Sequence, residues 1–234
     1  MPWLGVPTTS HSAQSGRKHM RSAGRIGAYS RWMRWVALGD SYTIGTSVPE
    51  GERWPNRLVA ALAAGSSPIP IDLVANLAVN GYASGDVIER ELPQLGALRP
   101  ELLSILIGVN DVVRRVPSER YRANVARILD DLVGRVGAMG VFAVTTPDYT
   151  VTPAGADFGD PAAQAAGIRA NNEILTSEAA ARSIAIVDIH DLSLRAAEDR
   201  GLVAGDGLHP SGAQYALWVE RLLPTMRGLL SREP

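Results

Sequence analysis

The chain of 234 residues has no cysteine, which excludes disulfides, thiolate zinc sites and a cysteine nucleophile and leaves the redox compartment open. Lysine occurs once, at Lys18, so a Schiff-base mechanism in the body of the chain is excluded as well. No apolar run reaches membrane-spanning length, and the opening stretch MPWLGVPTTSHSAQSGRKHMRSAGRIGAYSR lacks the continuous apolar segment of a secretory signal. The expectation is a soluble, cytoplasmic protein with no stable membrane insertion. Neither a GxGxxG behind a strand nor a GxxxxGK[ST] occurs, which removes the common nucleotide-phosphate cradles.

Acidic residues are missing from one region only. The first 34 residues carry six basic side chains (Arg17, Lys18, Arg21, Arg25, Arg31, Arg34) and no acidic one, whereas the remainder has 17 basic against 24 acidic residues. An acidic body offers no electrostatic footprint for nucleic acid, so no nucleic-acid partner is expected. Residues 1–34, rich in Ser, Gly and Arg without helical periodicity, read as a basic, disordered N-terminal arm. Met33, just before the first apolar run, offers an alternative start that would omit it.

From Trp35 onward, short β-branched or apolar runs alternate with longer segments of helical spacing, the pattern of a parallel sheet covered by helices on both faces. Strands are expected at 35–39, 71–78, 102–108, 141–146 and 184–189, and helices at 52–64, 84–95, 118–139, 161–182 and 211–230. Five strands fit an α/β fold of three layers, an α/β/α sandwich around a flavodoxin-like five-stranded parallel sheet. Ser211 followed by Gln214 is a capping-box start for the last helix, which puts His209 in the loop before it. The stretch 147–161, rich in Pro, Gly and Asp, has the length of a functional loop.

In open parallel sheets, ligands bind beyond the carboxyl ends of the strands. The first strand runs into "GDS" ending at Ser41, the second into "NLAVNG" ending at Gly81, and the third into "GVND" containing Asn110. The last loop carries "DGLHPS", with Asp206 and His209. A serine hydroxyl needs a base, and an imidazole becomes a dependable base when a carboxylate fixes its tautomer and stabilises the imidazolium. Ser41, His209 and Asp206 supply those three functions. The backbone N–H of Ser41, that of Gly81 and the side-chain amide of Asn110 are suited to one oxyanion hole.

These four segments together resemble the SGNH hydrolases, also called the GDSL esterase and lipase family, over 35–232. The resemblance implies a serine nucleophile in the "GDS" block and oxyanion donors from the glycine of the second block and the asparagine of "GxND". It also implies an Asp and a His from "DxxH", which fall on Asp206 and His209 here. Tyr42 stands where the name-giving leucine would be. The activity implied is hydrolysis of a small-molecule carboxylic ester through an acyl-enzyme on Ser41, with no cofactor and no metal. Short-acyl substrates are favoured because no lid-sized apolar helix is present. Thioesterase or acyltransferase chemistry on the same triad is the alternative, and the oligomeric state is open.

Several residues have plainer readings. Asp40 is expected to orient the Ser41 loop, Asp111 to be structural, and Asn110 has an Asx turn as its competing role. His190 in "DIHD" is the rival base, read as a solvent-facing loop residue, and Trp54 as an anchor of the first helix against the sheet. A metal-dependent phosphoesterase would use Asp40, Asp111, Asp206 and His209 as ligands, but leaves Ser41, Gly81 and Asn110 without roles. A non-catalytic binding protein on the same fold is the third class.

Overall fold

Continuous burial along the first strand sets the layout. In β1 (Met33–Gly39), Trp35 and Ala37 face one core, and Val36 and Leu38 face the other, all fully buried. A strand buried on both faces needs helices on both faces. The computed structural model describes residues 32–64 and 67–231 and supplies them. After β1 come α1 (Ser41–Ile44), α2 (Trp54–Ala63) and β2 (Ile71–Asn76). A broken helical stretch, α3 (Ser84–Asp86) through a wide π-type turn to α4 (Leu95–Leu98), leads to β3 (Leu102–Leu106). Then follow α5 (Val109–Val113), α6 (Ser118–Val136), β4 (Val141–Val144), α7 (Pro161–Ala181), β5 (Ala185–Val187), α8 (His190–Leu194) and α9 (Gly212–Leu230).

The sheet is parallel with order β2-β1-β3-β4-β5, the flavodoxin-like arrangement. On one face, Trp54, Leu58 and Leu62 of α2 pack with Trp218, Leu222 and Met226 of α9. On the other, Val125, Ile128 and Leu132 of α6 meet Val87, Leu95 and Leu175. Trp54 is wholly buried, its ring centroid 5.7 Å from that of Trp35 and 6.4 Å from that of Phe142, so it anchors α2 to the sheet.

Every strand position holds, with shifted ends. β1 begins two residues before the apolar run, because Met33 and Arg34 pair with Ile71 and Asp72 and Arg34 donates to the Leu98 carbonyl at 2.9 Å. The other four strands each stop two residues early at the carboxyl end, where the chain turns away into the loops beyond the sheet. The expected helix 84–95 is interrupted and runs on to Leu98; Pro93, which has no N–H to donate, falls inside its last turns. Residues 1–31, most of the basic arm, lie outside the described residues. Among the described residues no helix is long and apolar enough to cross a membrane.

Candidate active site

Register brings the first three polar blocks together. Gly39, the last residue of β1, is level with Leu106, the last of β3, while Leu77 and Val79 beyond β2 donate to the carbonyls of Ala37 and Gly39. The chain therefore leaves three adjacent strands at one height. Gly39 has φ +145°, and a Cβ there would sit 2.2 Å from the Leu106 carbonyl oxygen, so only glycine lets β1 turn this close to β3. Asp40 caps the turn that follows by accepting from the Tyr42 N–H at 3.0 Å, and Ser41 opens α1. Ser41 is presented by the shortest rigid path from the sheet.

Gly81 adopts φ +79°, and no atom lies within 4 Å of where its Cβ would be. A side chain there would meet the left-handed backbone penalty rather than a steric wall. Arg114 donates to the Gly81 carbonyl at 2.5 Å and to Asp86 Oδ2 at 2.8 Å, bracing this turn from behind. Asn110 lies in the first turn of α5. Its Nδ2 donates to the Tyr82 carbonyl at 2.9 Å, which uses one of its two hydrogens. Asp111, buried, accepts from Ser84 N at 2.9 Å and Ser84 Oγ at 2.5 Å, clamping the third block to the helical stretch behind the second.

The fourth block arrives from the opposite end of the chain. Ala204 N donates to the His209 carbonyl at 2.7 Å and Ser211 N to Leu202 O at 2.9 Å, a pinched loop closed by the Val203–Pro210 bridge. Ser211 then caps α9, accepting from Gln214 N at 3.3 Å. Tyr215, one turn later, donates to the Tyr42 carbonyl at 3.0 Å and so ties α9 to the turn of Ser41.

His209 Nδ1 lies 2.7 Å from Asp206 Oδ2, and the Tyr42 ring packs against the imidazole at 5.5 Å. Partial burial opposes the Asp206 charge, yet Ser47 Oγ, the N–H groups of Leu208 and His209 and the imidazole hold its carboxyl well below the usual range. Ser41, Gly81, Asn110 and His209 line one cavity of about 250 Å³, walled by Tyr42, Val109, Val113, Tyr149, Phe158 and Leu208. All three sheet-edge blocks and the His209 loop are thus brought to one place. A serine hydroxyl, an imidazole backed by a carboxylate and the Asn110 amide at one apolar cavity suit attack on an acyl carbon.

A model of the GDSL-like lipase/acylhydrolase family matches residues 37–217. The chain belongs to this family. A curated arylesterase of Vibrio mimicus is 29% identical over 98 residues, covering 40% of this chain and 46% of that protein, so the match spans about half of the relative's length. Among solved structures, a lipolytic protein of the G-D-S-L family from Veillonella parvula superposes with a TM-score of 0.65 at 18% identity, over 82% of this chain and 97% of that one. An acetylxylan esterase from Geobacillus stearothermophilus gives 0.62 at 18% identity, over 86% and 95%. A lipase/acylhydrolase from Enterococcus faecalis gives 0.63 at 20%, over 86% and 100%. At these identities the likeness establishes the shared fold.

The reading of His190 changes against this GDSL-like frame. His190 is not a solvent-facing loop residue: it opens α8 with its side chain 17% exposed, and its Nε2 is 3.7 Å from the buried Asp148 carboxyl. Burial opposes the Asp148 charge, but that imidazole and two hydrogen bonds from Thr150 hold the carboxyl low. His190 lines a different groove, with Arg169, Glu173 and Asp188, and is absent from the walls around Ser41. Of the ligand set of the phosphoesterase alternative, Asp111 is engaged by Ser84 and Asp40 is fully buried as the N-cap of α1. Among the described residues no three His, Asp or Glu side chains form a metal-holding group.

Three contributors to this GDSL-like site escape a motif search. Ser47 donates to Asp206 Oδ2 at 2.6 Å, and Tyr149 and Phe158 form a wall of the cavity from the long loop after β4. Only the loop's composition signalled a function. A serine in a turn carries no sequence mark of its partner 159 residues away.

Proposed function

We propose that this GDSL-like protein is a serine esterase acting on small-molecule carboxylic esters through an acyl-enzyme. His209 takes the Ser41 proton as Oγ adds to the ester carbonyl. The oxyanion is received by the N–H groups of Ser41 and Gly81 and by the second Nδ2 hydrogen of Asn110, and Asp206 stabilises the imidazolium. The C–O bond to the alcohol then breaks as His209 returns the proton to it. Water, deprotonated by the same imidazole, adds to the acyl-Ser41 carbonyl, and the acid leaves as His209 returns that proton to Ser41 Oγ. These steps need no cofactor. The observation that carries the reading is the 2.7 Å His209–Asp206 pair opening onto the cavity that Ser41, Gly81 and Asn110 also line. The modest volume, together with relatives described as an arylesterase and an acetylxylan esterase, supports short acyl groups as substrates.

A fluorophosphonate probe is expected to add once, on Ser41 by peptide mapping, and p-nitrophenyl acetate hydrolysis to vanish in step with labelling. His209→Ala should lower kcat by several orders of magnitude and His190→Ala by less than about tenfold. Labelling that survives Ser41→Ala, or the reverse ranking of the two histidines, would remove the assignment.

A further inference from the structure

The Asp206 carboxylate is saturated. Oδ1 accepts the N–H groups of Leu208 and His209 at 2.9 and 3.0 Å, and Oδ2 accepts His209 Nδ1 at 2.7 Å and Ser47 Oγ at 2.6 Å. Three of these donors come from its own loop, and the fourth is delivered by the segment that leaves α1. That segment is held in an unfavourable shape for the purpose. Ser47 has φ +66°, a left-handed conformation it shares, among described non-glycine residues, with Arg99, Arg115 and Ser183. The turn is fastened by Gly45 N and Thr46 N, both donating to the Ser41 carbonyl at 3.0 and 3.1 Å, while Thr46 Oγ1 donates to Asn80 Oδ1. Two successive hydroxyls thus reach from the nucleophile turn to the neighbour of Gly81 and to the acid behind His209.

We propose that Ser47 is a positioning residue of the proton relay: its hydroxyl fixes Asp206 and withdraws charge from the oxygen that faces His209. The inference rests on the triad reading given above. A carboxylate that concentrates its charge on one oxygen holds the imidazolium more tightly. Such an imidazole stays protonated to higher pH and is slower to return its proton to the leaving alcohol. The Ser47 bond, made to the same Oδ2, keeps Asp206 an orienting group of moderate strength.

Ser47→Gly is the deciding variant, since glycine accepts the left-handed turn and removes the hydroxymethyl group with its donor. The melting temperature should hold. The acid limb of kcat/KM should move up by about 0.5–1 in pH, and kcat at neutral pH should fall about tenfold with KM within about twofold. Ser47→Thr restores the donor on a residue that resists this φ, so it should melt lower yet return the acid limb to the wild-type position. The other titratable groups around the pair are the same in every variant: Tyr42 on α1, Tyr215 on α9, and Asp148 and Tyr149 after β4. The three phenols are pushed up by burial and Asp148 is held low, while Asp40, raised by burial to about 8 beside Tyr42, is unaltered in every variant, so a limb that moves between variants belongs to the Asp206–His209 pair. An acid limb that stays in place in Ser47→Gly, whether kcat holds or falls along with stability, would overturn the proposal. If Ser41→Ala and His209→Ala still abolish turnover in that case, only the Ser47 assignment is lost; if they do not, the triad reading itself is.

Discussion

At the scale of single residues, the site separates atoms that react from atoms that aim them. In the proposed reaction Asn110 does both, with one Nδ2 hydrogen spent on the Tyr82 carbonyl and the other left for the oxyanion in the cavity it lines. It is therefore not an Asx turn, which would use the side-chain oxygen. The two functions answer to different measurements. Asn110→Ala should lower kcat by roughly 10²–10³ with little change in KM, since a bond to a developing oxyanion strengthens only in the transition state. Loss of the Tyr82 bond should lower unfolding stability by about 1 kcal/mol. Asn110→Asp, which sets a carboxylate against both the Tyr82 carbonyl and the oxyanion, should be at least as inactive. Near-normal turnover in either variant would leave the oxyanion to the N–H groups of Ser41 and Gly81.

At the scale of elements, the loop between β4 and α7 sets the shape of the cavity. It is a braced structure: Tyr149 donates to Gln164 Oε1 at 2.7 Å, Gln164 Nε2 donates to the Phe158 carbonyl at 3.2 Å, and the two aromatic rings meet edge to face at 5.5 Å. Gln164 lies in the first turn of α7, so the helix start holds the loop against the opening. Phe158 keeps 39% of its surface exposed, much for a large aromatic that lines a cavity. Phe158→Ala should enlarge the acyl space while Tyr149 stays anchored. The ratio of kcat/KM for p-nitrophenyl hexanoate over the acetate should then rise by about tenfold, the scale of a few methylene contacts. An unchanged ratio would place acyl selection elsewhere on the wall.

At the scale of the whole molecule, buried acids beneath the active turn tie stability to pH. Burial pushes Asp40 up to about 8 and Glu91 up to about 9, and it raises Asp111 as well. Glu91 Oε2 accepts the Gly39 N–H at 3.0 Å, while Glu91 Oε1 and Asp40 Oδ2 have no hydrogen-bond partner among the described residues. The folded chain keeps protons on these groups that the unfolded chain releases near pH 4. Between about pH 4 and 9 the native state therefore binds more protons, and its stability falls as pH rises through that window. Asp206, Asp148 and Asp191, held low, act oppositely and withdraw stability as pH falls below about 4. Glu91→Gln keeps an acceptor for Gly39 and removes one titration. Denaturant midpoints at pH 5, 7 and 9 should fall less steeply in this variant than in the wild type, and parallel curves would count against a proton on Glu91.

The layered fold and the four blocks were legible in the chain because they depend on local pattern. The continuous apolar run of β1, apolar residues three and four apart in α6, and polar residues directly after each strand are all written in consecutive positions. Strand ends were less legible, because where a ladder stops depends on a neighbour's register. Asn110 could be flagged, but whether it donates through nitrogen or accepts through oxygen is decided by Tyr82, 28 residues earlier. The separation of His190 from His209 was likewise settled by packing: both follow an aspartate near a turn, and only one lines the cavity with Ser41. Ser47 marks the limit most clearly. Its chemistry belongs to a bond across 159 residues and to a left-handed backbone that its own side chain disfavours, and such a conformation exists only because the assembled fold holds it.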